Sequence, residues 1–407
     1  MSRPNVLLVL VDCLRADAVR GEGRRLKTPC IDRLVRSGVV FTQAIASSSS
    51  TTPCVASLLT GNYSFAHGIQ AIGGHKLNRA VPSLVETLAA DGYETHAEVT
   101  GPLLAETGLG RGFSSYRVRE PRAYLSTSWG EELRRRIGGF RAPWFLFVHL
   151  WELHQPRQVL PQFRSRAYGR NRYERAVSSL DRGLHGLLEA VPADTLLVLH
   201  GDHGERVLKS DLRYRLYRIA RDFLGARTRK REGHEMDVYE DVIRVPLVFR
   251  WPSVLPAGKA VGRLVRQVDV MPTVLDLVRA PAPAGVHGVS LGTAIADAAC
   301  PELDAYLEAF LRVRSDPGDR RVGLRTAQWK YVHAPRNPSL PEELYDLGAD
   351  AGERRNVAAQ RPDVVRTLRR RIGEIEAGWA LAPPTEEPMT EEERALVEKR
   401  LEDLGYL

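Results

Sequence analysis

The chain has 407 residues, a formal net charge of +8, and 43% hydrophobic against 27% charged residues. These proportions exclude a disordered or fibrous chain and leave room for a large core. The basic balance favours an anionic partner, without separating nucleic acid from an ester or a lipid surface. Cys13, Cys30, Cys54 and Cys300 show no paired spacing. That argues against a disulfide framework or a zinc knuckle, and for a reducing compartment.

Residues 5–11 read as a buried strand ending in Asp12. The apolar run is too short for a signal-peptide core or a bilayer span, so the expected location is cytoplasmic and no transmembrane segment is expected. Pro29–Arg36 reads as a helix with Thr28 as its N-cap. A hydroxyl cluster, Ser47–Thr52, meets Pro53, and a helix begins at Val55–Leu59. Pro82–Asp91 is a further helix. Trp144–Leu150 and Thr195–Leu199 are strands, and Tyr173–Val191 between them carries a helical apolar face. Apolar strands alternating with helices predict an α/β core with a central, mostly parallel mixed sheet covered by helices on both faces. Sites in such sheets gather at the carboxyl ends of the strands.

Residues 206–231 hold ten Lys or Arg against two Asp. The apolar spacing predicts a basic amphipathic helix, read either as a solvated face or as a lid over an anionic substrate. No aromatic-interleaved basic motif accompanies it, which argues against nucleic acid. Pro281–Gly285 breaks the pattern. The expected organisation is a catalytic core over 1–290, a C-terminal α+β subdomain over 291–382 with a short antiparallel sheet (Val322–Arg325, Trp329–His333) and a helix, and a charged helical tail over 383–407.

Asp12, Thr51, and Asp202-His203 in the turn starting at Gly201 stand past strand ends or at a helix start, and His154 and His234 lie beyond strands. A hydroxyl at a helix N-terminus suits transfer of an anionic group, because free N–H groups and the helix dipole favour negative charge there. A divalent metal would acidify the hydroxyl further. Asp12, Thr51, Asp202 and His203 offer oxygen ligands plus one imidazole, a set that suits one Mn²⁺ or Zn²⁺ better than Ca²⁺ or Mg²⁺. His154 and His234 would bind ester oxygens or protonate the leaving group. Cys54 reads as a small buried residue, and Ser57 as helix packing or an oxyanion contact.

In order and wording these segments resemble the sulfatase branch of the alkaline phosphatase superfamily. "RPNVLLVLVDCLRAD" resembles the opening strand and metal aspartate, "TTPCVASLLTG" the nucleophile motif, and "LHGDHGE" the second metal motif. "GHEMDVYEDVIRVPLVFRWP", "VDVMPTVLDL", "VHGVSL", "ELYDLGADAGERRNVA" and "RLEDLGYL" resemble later segments of the family. The resemblance implies an alkaline-phosphatase-like fold and a metallohydrolase of phosphoric or sulfuric esters.

Three departures bear on the chemistry. The family's Cys (or Ser)-x-Pro-x-Arg, whose first residue becomes formylglycine, is Thr51-Thr52-Pro53-Cys54-Val55 in this chain. Threonine cannot form that aldehyde, and Val55 replaces the arginine. No Lys-x-His pair stands around residues 95–113, and the paired aspartates are Asp12-Cys13. A phosphothreonine is cleared by water attacking phosphorus, whereas a sulfated threonine lacks the aldehyde exit. The sequence therefore favours hydrolysis of phosphate mono- or diesters through Thr51. The alternatives are sulfate-ester hydrolysis without formylglycine, phosphotransfer, and anion binding without turnover. The expected partner is an anionic small-molecule ester. Oligomeric state stays open.

Overall fold

The computed structural model describes residues 3–21, 24–207, 234, 237–298, 301–310, 320–378 and 388–407. Its strands in chain order are β1 Val6–Val11, β2 Val39–Ile45, β3 Glu94–Val99, β4 Ser115–Val118, β5 Trp144–Leu150, β6 Leu196–Gly201, β7 Arg244–Arg250, β8 Lys259–Arg266, β9 Ala305–Phe310, β10 Arg320–Arg325, β11 Trp329–His333 and β12 Glu343–Asp346. The first eight form one sheet in the order β4-β3-β5-β1-β6-β7-β2-β8. Within it β7 runs antiparallel to β6 and β2, and the other pairings are parallel. The last four form a separate antiparallel sheet, β12-β11-β10-β9.

The apolar run of β1 explains why it sits centrally. Side chains alternate across a strand, so a strand covered on both faces needs apolar residues at every position. Val6, Leu8 and Leu10 enter one core layer, while Leu7, Val9 and Val11 enter the other. Each is 0–1% exposed, and burying each such side chain stabilises the fold by about 1.5–3 kcal/mol. The helices Thr51–Thr60, Leu84–Ala90 and Val270–Val278 cover the first face. Pro29–Ser37, Ser128–Ile137 and Arg172–Glu189 cover the second.

Several local expectations shift. The helix at Pro29 forms, but Thr28 makes no side-chain cap bond. The amides of Cys30 and Ile31 instead donate to the Asp181 carboxylate at 3.0 and 2.8 Å. A residue 150 positions away caps the helix, which no local signal encodes. The helix expected from Val55 starts at Thr51. The basic segment expected at 206–231 lies outside the described residues from 208 onward.

The small sheet is pinned to the loop before Thr51. Glu308 of β9 donates its amide to Ser47 O at 3.0 Å and forms an isolated parallel bridge with Ser48. Its carboxylate accepts from Ser64 and, at 2.6 Å, from Arg320. The helix Pro362–Ala377 packs on that sheet through Val365, Leu368 and Ile372, in one cluster with Tyr63 and Tyr306. No described helix is long and apolar enough to cross a membrane.

Candidate active site

Strand register assembles the site. Val11 of β1 is level with Leu150 of β5 and Gly201 of β6, and Leu10 is level with His149. Asp12, His149 and Asp202 therefore arrive together at the carboxyl edge of three adjacent parallel strands. Each is 0% exposed. His149 Nε2 lies 3.9 Å from Asp12 Oδ2 and 4.0 Å from Asp202 Oδ2.

Thr51 is the first residue of its helix, and the preceding Ser50 makes no side-chain cap. The first amides of a helix have no intrahelical partner, so this end faces the site electropositive. The Thr51 hydroxyl donates to Asp12 Oδ2 at 3.0 Å, and His203 Nε2 is 3.3 Å from Thr51 Oγ1. Neighbouring side chains fix the helix. Thr52 Oγ1 donates to Ile72 O at 3.2 Å, and Cys54 Sγ to Ser48 O at 3.2 Å. Cys54 packs with Ala46 and Val245 as a small buried residue.

Asp202 has two jobs. Its Oδ1 accepts the amides of Cys13 at 3.1 Å and His203 at 2.7 Å, while its Oδ2 points into the site 3.4 Å from His203 Nε2. Glycines flank the pair because backbone presses close on both sides. A Cβ on Gly201 would lie 2.6 Å from Leu14 O, and one on Gly204 2.4 Å from Asp241 O. His203 Nδ1 lies 2.9 Å from Gly204 O. A carbonyl only accepts, so Nδ1 carries the proton and Nε2 presents its lone pair to Thr51.

The electrostatics fit a cation. Burial, and then Asp202, push the Asp12 carboxyl well above its usual range. Burial lowers His149 to about 4 and also lowers His203, so both imidazoles are neutral. Asp12 Oδ1, Asp202 Oδ2 and His149 Nε2 are buried and make no hydrogen bond among the described residues. Buried polar atoms without partners are rare and costly. One ligand atom from each of Asp12, His149 and Asp202 lies within 4.8 Å of the others, a donor set suited to a divalent metal.

Of the residues singled out in the sequence, Asp12, Thr51, Asp202 and His203 converge on one point. His234 stacks on His203 with ring centroids 4.3 Å apart. His154 lies one ring further out, 5.9 Å from His234. It stacks on Trp151 at 4.0 Å. Its Nδ1 is 2.9 Å from Gln155 O and its Nε2 2.8 Å from the Tyr406 hydroxyl. Both nitrogens are thus engaged, and burial and His234 lower the ring to about 3. His149 was not singled out. Its signal was an imidazole inside an otherwise apolar strand, "WFLFVHL", one position short of the carboxyl end. Glu205 was also passed over. Burial pushes its carboxyl up, but Arg157 and His234 together outweigh burial and hold it at about 2.

Ser57 accepts from His67 Nε2 at 3.0 Å, because His67 Nδ1 is already the acceptor for the Ile69 amide at 3.1 Å. Burial, with His287 adding, lowers His67 to about 3. A folded-state pKa below the unfolded value means the unfolded chain binds the extra proton. Stability is then complete above about pH 6.5 and falls as pH drops toward 3. Between pH 6.5 and 5 the expected loss is about 2 kcal/mol from this residue. Urea titrations at the two pH values should show it, and His67→Gln should flatten the pH dependence by that amount.

This chain belongs to the sulfatase family. The family's sequence profile matches residues 4–280, and the profile described as N-sulphoglucosamine sulphohydrolase, C-terminal, matches residues 235–377. Arylsulfatase K of Gallus gallus is 30% identical over 179 residues, covering 43% of this chain and 30% of that protein. N-acetylgalactosamine-6-O-sulfatase of Bacteroides thetaiotaomicron is 24% identical over 253 residues, covering 56% and 46%. The chain thus spans less than half the length of either relative. The phosphonate monoester hydrolase of Agrobacterium radiobacter superimposes with a TM-score of 0.73 at 20% identity, covering 96% of this chain and 99% of that one. A protein solved with its substrate D-glucosamine-2-N,6-O-disulfate gives 0.72 at 17% identity, covering 95% and 100%. At such identities these structures establish the fold: the mixed α/β sheet with a small antiparallel sheet after it.

Proposed function

We propose that this protein is a metal-dependent hydrolase of monoanionic esters, with Thr51 as nucleophile. The observation that carries the reading is the convergence of Asp12, Asp202 and His203, from two distant segments, on Thr51 Oγ1. Asp12 and Asp202 would hold the cation, with His149, His203 and the Thr51 oxygen at hand. Such a cation supplies Lewis-acid polarisation of the ester oxygens and a lower hydroxyl pKa. Asp12 Oδ2 takes the Thr51 proton at its hydrogen-bonding distance of 3.0 Å. The freed oxygen attacks sulfur or phosphorus in line. The departing oxygen would take a proton from solvent or from the Asp12 carboxyl, and a water would then clear the threonyl ester by attack at sulfur or phosphorus.

Charge favours a monoanion. Two carboxylates and one divalent cation leave the pocket neutral. Val55 occupies the position of the family's arginine, and the buried Arg157 is committed to Glu205. A sulfate monoester, a phosphonate monoester and a phosphodiester each carry one negative charge. A phosphate monoester at neutral pH carries nearly two. Phosphate came first in the sequence-based expectation. The sulfatases among the relatives support placing sulfate esters ahead of it, and the threonine supports phosphonate and phosphodiester substrates as the second reading.

The test is a matched panel with one leaving group: aryl sulfate, aryl phosphonate, diaryl phosphate and aryl phosphate. The three monoanions should exceed the phosphate monoester in kcat/KM by about tenfold or more, the equivalent of about 1.4 kcal/mol. A preference for the phosphate monoester would overturn the charge argument.

A further inference from the structure

We propose that the C-terminal tail, residues 389–407, is a functional part of the active site, and that Tyr406 is a positioning residue that seats His154 for substrate binding. The proposal rests on the ester-hydrolase reading above. It adds to that reading a segment 252 positions from the imidazole it serves.

The tail is built to dock. Its helix, Glu391–Asp403, opens with a capping box between Thr390 and Glu393. Nine of its thirteen residues are charged, so the few apolar ones decide where it sits. Val397 and Leu401 pack with Met389 against Ile72 and Leu104, and Tyr406 joins that cluster. A Cβ on Gly73 would lie 2.6 Å from Leu401 Cδ1, so the helix presses directly on this backbone. Lys76 Nζ meets the Glu393 carboxylate at 2.8 Å. The loop so covered anchors the nucleophile helix, because Ile72 O accepts the hydroxyl of Thr52.

The tail also reaches the ring stack beside the site, through two residues. Arg400 donates from Nε to Gly101 O at 3.0 Å and from Nη2 to Arg119 O at 3.2 Å. Gly101 has φ +69, and a Cβ there would lie 2.5 Å from the Trp151 ring. Guanidinium and indole thus bear on the same backbone. Trp151 carries His154, with ring centroids 4.0 Å apart. Tyr406 closes on that imidazole, its hydroxyl 2.8 Å from Nε2 and its ring centroid 5.8 Å away.

The proton positions follow. His154 Nδ1 faces Gln155 O, and a carbonyl only accepts, so Nδ1 carries the hydrogen. Nε2 then accepts from the Tyr406 hydroxyl. A partner on the second nitrogen fixes both tautomer and ring rotation. His154 meets the site through His234, which stacks on His203 beside Thr51. A place one ring outside the cluster assigns it to the body of the ester rather than to the reacting group. Contacts made there act alike on bound substrate and transition state, so losing one raises KM and spares kcat.

Kinetics on the preferred ester test this in the full-length chain. Tyr406→Phe keeps the ring and removes the hydroxyl. It should raise KM about threefold to tenfold, the scale of one neutral hydrogen bond, with kcat, Tm and bound metal unchanged. In a His154→Gln background the same substitution should add nothing, because the phenol acts through the imidazole. Nitrogen NMR of the histidine rings gives a readout without turnover: the His154 Nε2 resonance, assigned by its loss in His154→Gln, should shift in Tyr406→Phe. An unchanged KM, an additive effect in the His154→Gln background, or an unmoved resonance each overturns the positioning role. A lower kcat and Tm at constant KM also overturns it, since that is the mark of a loosened fold. No turnover of any ester, with the resonance still shifting, overturns the hydrolase reading instead and keeps the tail-to-His154 contact.

Discussion

Replacing Thr51 by alanine should lower kcat/KM on the preferred ester by about four orders of magnitude or more, the scale seen when a nucleophile is removed from a preorganised site. Thr51→Ser should keep most of the activity, because its hydroxyl can occupy the same place between Asp12 and His203. The alanine side chain removes one oxygen from a helix start whose neighbours, Thr52 on Ile72 and Cys54 on Ser48, stay bonded. Folding should therefore be nearly unchanged, and a thermal melt alongside the kinetics checks that. Full activity in Thr51→Ala would remove the residue from the mechanism and with it the reading of the helix N-terminus as the reacting edge.

Stripping the metal should abolish turnover and lower Tm. A ligand present at a thousand times its Kd stabilises the folded state by about 4 kcal/mol. In a chain of this size that corresponds to roughly 5 °C. The pH dependence carries a sign. In the stripped protein Asp12 titrates above its unfolded value because of burial and Asp202. The folded state then holds its proton more tightly, so this group's contribution is present at low pH and is lost as pH rises through the raised folded value. Protons also compete with the cation for the same carboxylates and imidazoles. The Tm difference between loaded and stripped protein should accordingly shrink as pH falls from 7 toward 5. A constant difference over that range would count against carboxylate and histidine ligands.

A chelator-insensitive Tm together with chelator-insensitive turnover would be harder to reconcile with the buried atoms themselves. Asp12 Oδ1, Asp202 Oδ2 and His149 Nε2 lack hydrogen bonds among the described residues. An uncompensated buried carboxylate pair costs several kcal/mol. Asp202→Asn offers an intermediate arm. It keeps an acceptor oxygen for the amides of Cys13 and His203 while removing a charge, so loss of metal with little loss of fold separates the two roles of this side chain.

Much of this was legible in the sequence for a local reason. A strand covered on both faces must be apolar throughout, so β1, β5 and β6 announced themselves. A turn at a strand end needs glycine and exposes short polar residues, so Asp12 and Asp202-His203 stood out against the runs they follow. Thr51 was marked by Pro53 and the helix behind it. These signals depend on a few neighbouring residues and the periodicity of their elements. They sufficed for the fold class and for four residues that meet at one point.

What only the tertiary structure decided are relations between distant segments. His149 looks like a strand residue until the register sets it level with Leu10, within 4.0 Å of both Asp12 and Asp202. Thr28 looks like a cap until Asp181 takes over the amides. His154 looks like a free imidazole until Tyr406, 252 positions later, closes on its second nitrogen. Cys13 looks like an ordinary small residue until its sulfur meets His234. A side chain's hydrogen-bonding and charge partners are chosen by packing, and packing is set by sheet order and register, quantities that no short stretch of sequence contains.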